Sequence, residues 1–265
     1  MVKDAELNAA DDKKKLELMA RVAELLRKRR IAAGSLLFEV PEIKIELDRE
    51  GVPVSVKVPE RLASEGIVEE FMLAANQQVA TFLAEKGPSL FRIHEDPDEE
   101  KLKAFFDFAG RMGVSLAHPG KISPLGMQRI LDTIRSNPAA GVLNSLLIRS
   151  MQKAVYSTEN PGHFGLAFNT YTHFTSPIRR YPDLIVHRLL GEVLSGTKAY
   201  GEKKLQEIAA KSTEREQRAI EAEREIVRIK GARFLEQYIG ESVEGRITSV
   251  AVFGAFLTLI PFGLD

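Results

Sequence analysis

Between Asn160 and Leu190 the chain reads NPGHFGLAFNTYTHFTSPIRRYPDLIVHRLL, and its side chains are suited to holding a phosphodiester strand. The stretch contains His163, His173 and His187, the pair Arg179 and Arg180, and the aromatics Phe164, Phe168, Tyr171, Phe174 and Tyr181. From Leu146 to Leu190 five basic residues (Arg149, Lys153, Arg179, Arg180, Arg188) stand against Glu159 and Asp183, in a chain with 37 basic and 37 acidic residues. Guanidinium forks grip phosphate oxygens bidentately, and aromatic rings stack on bases. The alternative is that Arg179 and Arg180 pair with carboxylates elsewhere in the fold, and composition alone leaves both readings open.

The elements that must position these residues are legible around them. Pro177 holds Ser176 out of the helical region. Pro182 sits at a first-turn position, and Leu184, Ile185, His187, Leu189 and Leu190 continue a helix that ends near Gly196. Arg179, Arg180 and Tyr181 therefore lie on the approach to a helix N-terminus, where free N–H groups and the helix dipole favour an anion.

The motif HFTSPIRRYPDLIVHR, preceded by RSMQKAVYSTENPGHFGLAF, resembles the signature of the ribonuclease II/R (RNB) family of exoribonucleases. The resemblance runs from about Leu16 to the C-terminus, with further matches at FEVPEIKIELDREG, IVEEFMLAAN and FRIHEDP. It implies processive 3′→5′ hydrolysis of single-stranded RNA to nucleoside 5′-monophosphates with Mg2+ or Mn2+. In the family the metal is held by an aspartate cluster upstream of these motifs. This chain shows no such cluster: Asp11 and Asp12 precede a lysine run and read as helix-start charges. The expectation is the later half of the catalytic domain, binding no metal alone and needing an aspartate-bearing partner segment. A non-catalytic RNA-binding or scaffolding chain is the alternative.

The resemblance also suggests roles. Arg179 would stabilise charge on the phosphate as the catalytic cation, and Arg180 would bind the RNA backbone or buttress the fold. Ser176, His173 and Tyr181 are candidates for phosphate or ribose hydrogen bonds. One of Glu69 and Glu70 would contact the terminal ribose, since neighbours on a helix point about 100° apart. Without the resemblance both read as solvent-facing first-turn acids. Phe38 would stack on a base, with ordinary core as the equal alternative. A His173–Ser176 nucleophile pair lacks an orienting carboxylate at any recognisable place.

Composition bounds the rest. With 265 residues, 44% apolar and 28% charged, the chain has the mass for a sizeable core. No apolar run approaches the ~20 residues that span a bilayer, so no membrane partner is expected. Zero cysteines exclude disulfides and thiolate metal sites and agree with a cytoplasmic location. Balanced charge argues against a polycation that coats nucleic acid, so RNA binding needs a local channel.

The fold expected is α+β. Residues 1–239 would be the mainly helical part of an RNB-type catalytic domain with a β-hairpin, and 240–265 the first strands of an incomplete OB-type barrel. Lys13–Arg30 reads as a helix with Leu16, Met19, Val22, Ala23 and Leu26 inward, a solvated RKRR end and Gly34 as its stop. Ile43–Leu47 and Val52–Val58 alternate as a hairpin around Asp48–Gly51. Ser64–Lys86 is a helix. Another starts at Asp96-Pro97-Asp98-Glu99 with Phe105 and Phe106 in the core. A short helix spans Leu125–Ser136, and one from Ala139 to Tyr156 would turn Arg149 and Lys153 towards the RNA path. His94 and His118 carry no assignment. After a hinge at 197–202, a helix from Thr213 to Tyr238 would open on a Thr213/Glu216 capping box and pack through Ala219, Ala222, Ile226 and Ile229. In the terminal strands Phe253 and Phe256 would stack on bases, and an unclosed barrel would be frayed, edge-paired to a neighbour or poorly ordered.

Overall fold

The structure, a computed structural model, describes residues 2–36, 43–59, 62–116, 120–197, 200–252, 254–260 and 262–264, with the backbone alone described at 2–10 and 249–251. Phe38, His118 and Phe253 lie outside the described residues. The described chain is α+β: seven α-helices with three two-stranded antiparallel sheets and no closed barrel. No described helix is long and apolar enough to cross a membrane.

Helix α1 spans Val2–Ala32, and Gly34 ends it with a φ of 103°. A Cβ at Gly34 would lie 2.7 Å from the backbone nitrogen of Leu125, so both its conformation and its space require glycine. The expected inward stripe is corrected: Ala23 is buried, but Leu16, Met19 and Val22 are exposed, Leu16 at 58%. The solvated RKRR end is corrected too, because Arg30 turns into the protein. Its guanidinium donates to both carboxylate oxygens of Glu70 and to Ser35 Oγ, with both partners of the ion pair 6% exposed.

Strands β1 (Lys44–Leu47) and β2 (Pro53–Lys57) form the expected hairpin. Asp48 Oδ1 accepts the N–H groups of Glu50 (3.0 Å) and Val52 (2.7 Å), which closes the turn. Helix α2 (Ala63–Ala84) starts where Glu65 Oε2 accepts the Leu62 N–H.

Helices α3 (Glu99–Arg111), α4 (Pro124–Arg135) and α5 (Ala140–Ser150) build one core. Leu102, Phe105, Phe106 and Ala109 recur at helical spacing on α3, and Met127, Ile130 and Ile134 do so on α4. They meet Leu143 and Leu147 of α5, and Phe164 joins them from the central motif. The α3 cap is Asp98, whose side chain accepts the Lys101 N–H, two residues later than the Asp96-Pro97 reading. Helix α5 stops six residues short of Tyr156. Val155–Ser157 is instead β4, paired antiparallel with β3 (Phe91–Ile93). Lys153 is therefore not on the α5 face with Arg149, and it bonds Gln217 Oε1 at 3.0 Å.

The second core joins α2, β4, α6 (Tyr181–Ser195) and α7 (Glu202–Leu235) through Leu83, Tyr156, Ile185, Val186, Leu189, Leu205 and Ile208. Helix α7 begins eleven residues before the expected start. Thr213 lies inside it, with Oγ1 accepting the Tyr156 N–H at 2.9 Å, and Glu216 pairs with Arg92. Ile226 is 56% and Ile229 51% exposed, contrary to the packed-stripe reading, while Gly231 and Phe234 at the end of the helix are buried. At the C-terminus β5 (Gly245–Ala251) and β6 (Gly254–Leu259) pair with each other. Leu264 is buried and approaches Gly231 of α7 closely enough that a Cβ there would meet its Cδ2 at 2.7 Å.

Candidate nucleic-acid interface

The irregular segment 171–180, which leads into α6, is held by buried polar side chains. Asn76 of α2, 2% exposed, does most of this. Its Nδ2 donates to Tyr171 Oη at 3.0 Å, and its Oδ1 accepts the N–H groups of Phe174 (2.9 Å) and Thr175 (3.2 Å). Thr172 Oγ1 donates to the Leu90 carbonyl at 2.6 Å, and the Tyr171 carbonyl accepts the Arg92 N–H. Phe174 stacks on His187 with centroids 4.1 Å apart, and His187 Nε2 lies 2.9 Å from the Phe174 carbonyl, which fixes that nitrogen as the donor.

Past Ser176 the chain turns into α6. The Ser176 carbonyl accepts the N–H groups of Arg179 and Arg180, and Asp183 reaches back from the first turn of α6. Its Oδ1 accepts the Ser176 N–H at 2.8 Å and the Arg180 guanidinium at 2.7 Å. A carboxylate in the first turn also meets the positive end of the helix dipole. Arg180 is thus pinned, whereas Arg179 is exposed and has no ion-pair partner among the described residues. The carboxylate-pairing reading therefore holds for Arg180, with a partner three residues along the chain, and no described carboxylate answers it for Arg179.

Arg180 separates two depressions. One, of about 440 Å3, is lined by Val68, Glu69, Met72, Leu73, Asn76 and Tyr171. The other, of about 810 Å3, lies between α6 and α7 and includes Arg179, Tyr181, Lys204, Lys211 and Arg215. Of the two neighbouring glutamates, Glu69 lines the smaller groove while Glu70 is buried against Arg30. The first-turn solvent reading of Glu70 is corrected on that ground.

His173 points inward. Its Nδ1 and Tyr156 Oη are hydrogen-bonded at 2.8 Å, and its ring meets Tyr171 edge-on at 5.7 Å. Burial, with the Arg180 guanidinium next, pushes its pKa down to about 2. Burial also lowers His163 to about 3 and raises Tyr156 to about 12. His94, unassigned from sequence, packs against His163 at 5.1 Å and accepts the Gly165 N–H at its Nδ1. Ser176 acts here through its backbone, and Tyr181 is half exposed at the larger cleft. Arg149 is exposed on α5 and lines neither depression. Among the described residues no three His, Cys, Asp or Glu side chains come together as metal ligands would.

Residues 2–196 match the RNB domain. This chain belongs to the RNB family. It is 42% identical over 257 residues to ribonuclease R 1 of Lactococcus lactis, a match covering 94% of this chain and 31% of that protein. To ribonuclease R of Aquifex aeolicus it is 39% identical over 248 residues, covering 92% and 35%. The apo structure of Mycoplasma genitalium RNase R aligns with a TM-score of 0.88 at 26% identity, over 94% of this chain and 40% of that one. The same relative in complex with ribose-methylated single-stranded RNA also aligns at 0.88. The RNB chain spans about a third of the length of the curated relatives it matches.

Sequence reasoning missed Asn76, Asp183 and Tyr156 as the groups that hold the RNB motif in shape. An asparagine within the otherwise apolar run of MLAAN carried a usable signal, since a buried amide needs partners.

Proposed function

We propose that this RNB chain supplies the strand-gripping, phosphate-facing wall of a 3′→5′ exoribonuclease acting on single-stranded RNA and releasing nucleoside 5′-monophosphates processively. The observation that carries the reading is Arg179. Its guanidinium is exposed and without an ion-pair partner among the described residues, beside an Arg180 that Asp183 immobilises where two grooves meet. A fixed frame beside an open cation suits charge development on a phosphate, where removing one well-placed donor costs about 2.7–4 kcal/mol of barrier.

In this reading the smaller groove takes the terminal nucleoside. Val68, Met72 and Leu73 offer the base an apolar face, and Glu69 is placed to accept from ribose hydroxyls. Arg180 orients the scissile phosphate, Arg179 stabilises its charge, and the inward-facing His173 keeps the loop in position rather than touching RNA. The M. genitalium complex with single-stranded RNA supports that polymer as the partner. Mg2+ or Mn2+ would supply the water-activating chemistry, and its ligands are assigned to an aspartate-bearing segment other than the residues described.

The test incubates the chain with 5′-labelled single-stranded RNA and Mg2+ or Mn2+, alone and with the corresponding upstream segment of the L. lactis relative added in trans. Cleavage confined to the mixture supports the proposal. Binding without cleavage in both supports a non-catalytic RNA-binding or scaffolding role, and absence of binding sinks both.

A further inference from the structure

Arg92 ties together three parts of the fold. It sits at the middle of β3 between the buried Phe91 and Ile93, so its side chain leaves the strand on the opposite face. Across the ladder it opposes Tyr156 of β4, and its guanidinium carbon lies 4.7 Å from the centre of that ring, a cation–π geometry. Its Nη1 donates to Glu216 of α7, 124 residues away. That pair is only 13% and 25% exposed, whereas the pairs internal to α7, Lys204–Glu207 and Arg228–Glu225, are solvent-facing. Two more bonds leave the same face of the helix. Thr213 Oγ1 accepts the Tyr156 N–H at 2.9 Å, and Gln217 Oε1 accepts from Lys153 Nζ at 3.0 Å. A sheltered ion pair adds little net stability over an apolar contact, and its best use is to fix the register between elements.

From this anchor two bonds reach the RNB motif. The Arg92 N–H donates to the Tyr171 carbonyl at 2.9 Å, and the Tyr156 hydroxyl is hydrogen-bonded to His173 Nδ1 at 2.8 Å. The β3–β4 ladder between them is three residues long, so side-chain ties must supply the rigidity that its backbone does not. We propose that Arg92 and Glu216 are positioning residues: their pair clamps Tyr156, and through His173 and the Tyr171 carbonyl it sets where the segment carrying Arg179 and Arg180 stands. The inference rests on the phosphate-gripping role proposed for those two arginines. Glu216 also lines the larger depression beside them, which makes the sign of its effect diagnostic. A carboxylate repels a polyanion, so removing a bystander tightens RNA binding, whereas removing a positioning residue loosens it.

The test compares wild type with Glu216→Ala, Glu216→Gln, Arg92→Leu and the Arg92→Leu/Glu216→Ala double variant, each checked for folding by circular dichroism and urea unfolding. Calorimetric titration with hexa-adenylate reads the grip on RNA, and 15N spectra of labelled histidine read the His173 ring. We expect Glu216→Ala to weaken hexa-adenylate at least fivefold, and Glu216→Gln, which keeps an acceptor for Arg92, to stay within twofold of wild type. The double variant should bind no more weakly than Arg92→Leu, because both changes act through one contact. His173 should show one neutral tautomer in wild type and a mixture in Glu216→Ala and Arg92→Leu. Unchanged or tighter binding by Glu216→Ala overturns the proposal, as does a single His173 tautomer throughout. Should Arg92→Leu not fold, the Glu216→Ala and Glu216→Gln comparison decides alone. If wild type binds no hexa-adenylate, the proposed function fails, and the His173 spectra still decide whether the pair positions the motif.

Discussion

Arg180 and Asp183, three residues apart, are joined by a 2.7 Å ion pair whose carboxylate has no exposed surface and also accepts the Ser176 N–H. One buried oxygen thus ties the guanidinium, the loop before α6 and the first helical turn into a single frame.

Removing that carboxylate leaves a partly buried cation and an unmet N–H. We expect Asp183→Ala to cost about 3–5 kcal/mol of stability. Chemical denaturation checks this, and a urea midpoint equal to wild type would show that the frame is not held by Asp183.

The two adjacent glutamates should behave differently. Glu70→Ala strands Arg30 in the interior and should cost about 3–5 kcal/mol, while Arg30→Met combined with Glu70→Leu should recover most of it. Glu69→Gln should stay within about 1 kcal/mol of wild type yet weaken RNA binding, because Glu69 faces the groove. Equal destabilisation by the Glu69 and Glu70 variants contradicts this division.

Arg179→Ala, made at the matching position of a full-length ribonuclease R, should slow cleavage about 10²–10³-fold and lower RNA affinity far less. Steady-state and binding measurements on the same variant separate the two. Loss of rate and affinity in proportion would make Arg179 an ordinary phosphate anchor.

His163 and His173 titrate at about 3 and about 2 in the fold, against 6.5 for an ordinary histidine. Between these values the unfolded chain binds protons that the folded chain refuses. Their contribution is therefore complete above pH 6.5 and is lost as pH falls below it, by up to about 1.4 kcal/mol per pH unit for each histidine. Unfolding free energies at pH 7, 6 and 5 check the slope. In His163→Gln/His173→Gln it should flatten, and an identical slope in that variant would refute the assignment.

What the sequence by itself determined was local. The hairpin around Asp48–Gly51, the entry of α6 at Pro182 and its stop at Gly196 are written in turn and capping residues whose preferences act over a few positions. The RNB motif was legible for the same reason, as a contiguous run from Arg149 to Arg188. Tertiary structure alone decided the rest. Val155–Ser157 became a strand because Phe91–Ile93 lay alongside it, although helical periodicity carried on from α5. Thr213 carries a capping residue's chemistry but meets the Tyr156 N–H inside a helix that starts at Glu202, after a Gly201 that offers no side-chain cap to announce it. Arg30 looked like a solvated helix end until Glu70, forty residues away, met it in the interior. The division between Arg179 and Arg180, alike in sequence, comes from one buried aspartate that helix geometry brings within reach of the second and not the first. Pairing across long sequence separations depends on which surfaces meet after folding, and residue spacing does not encode that.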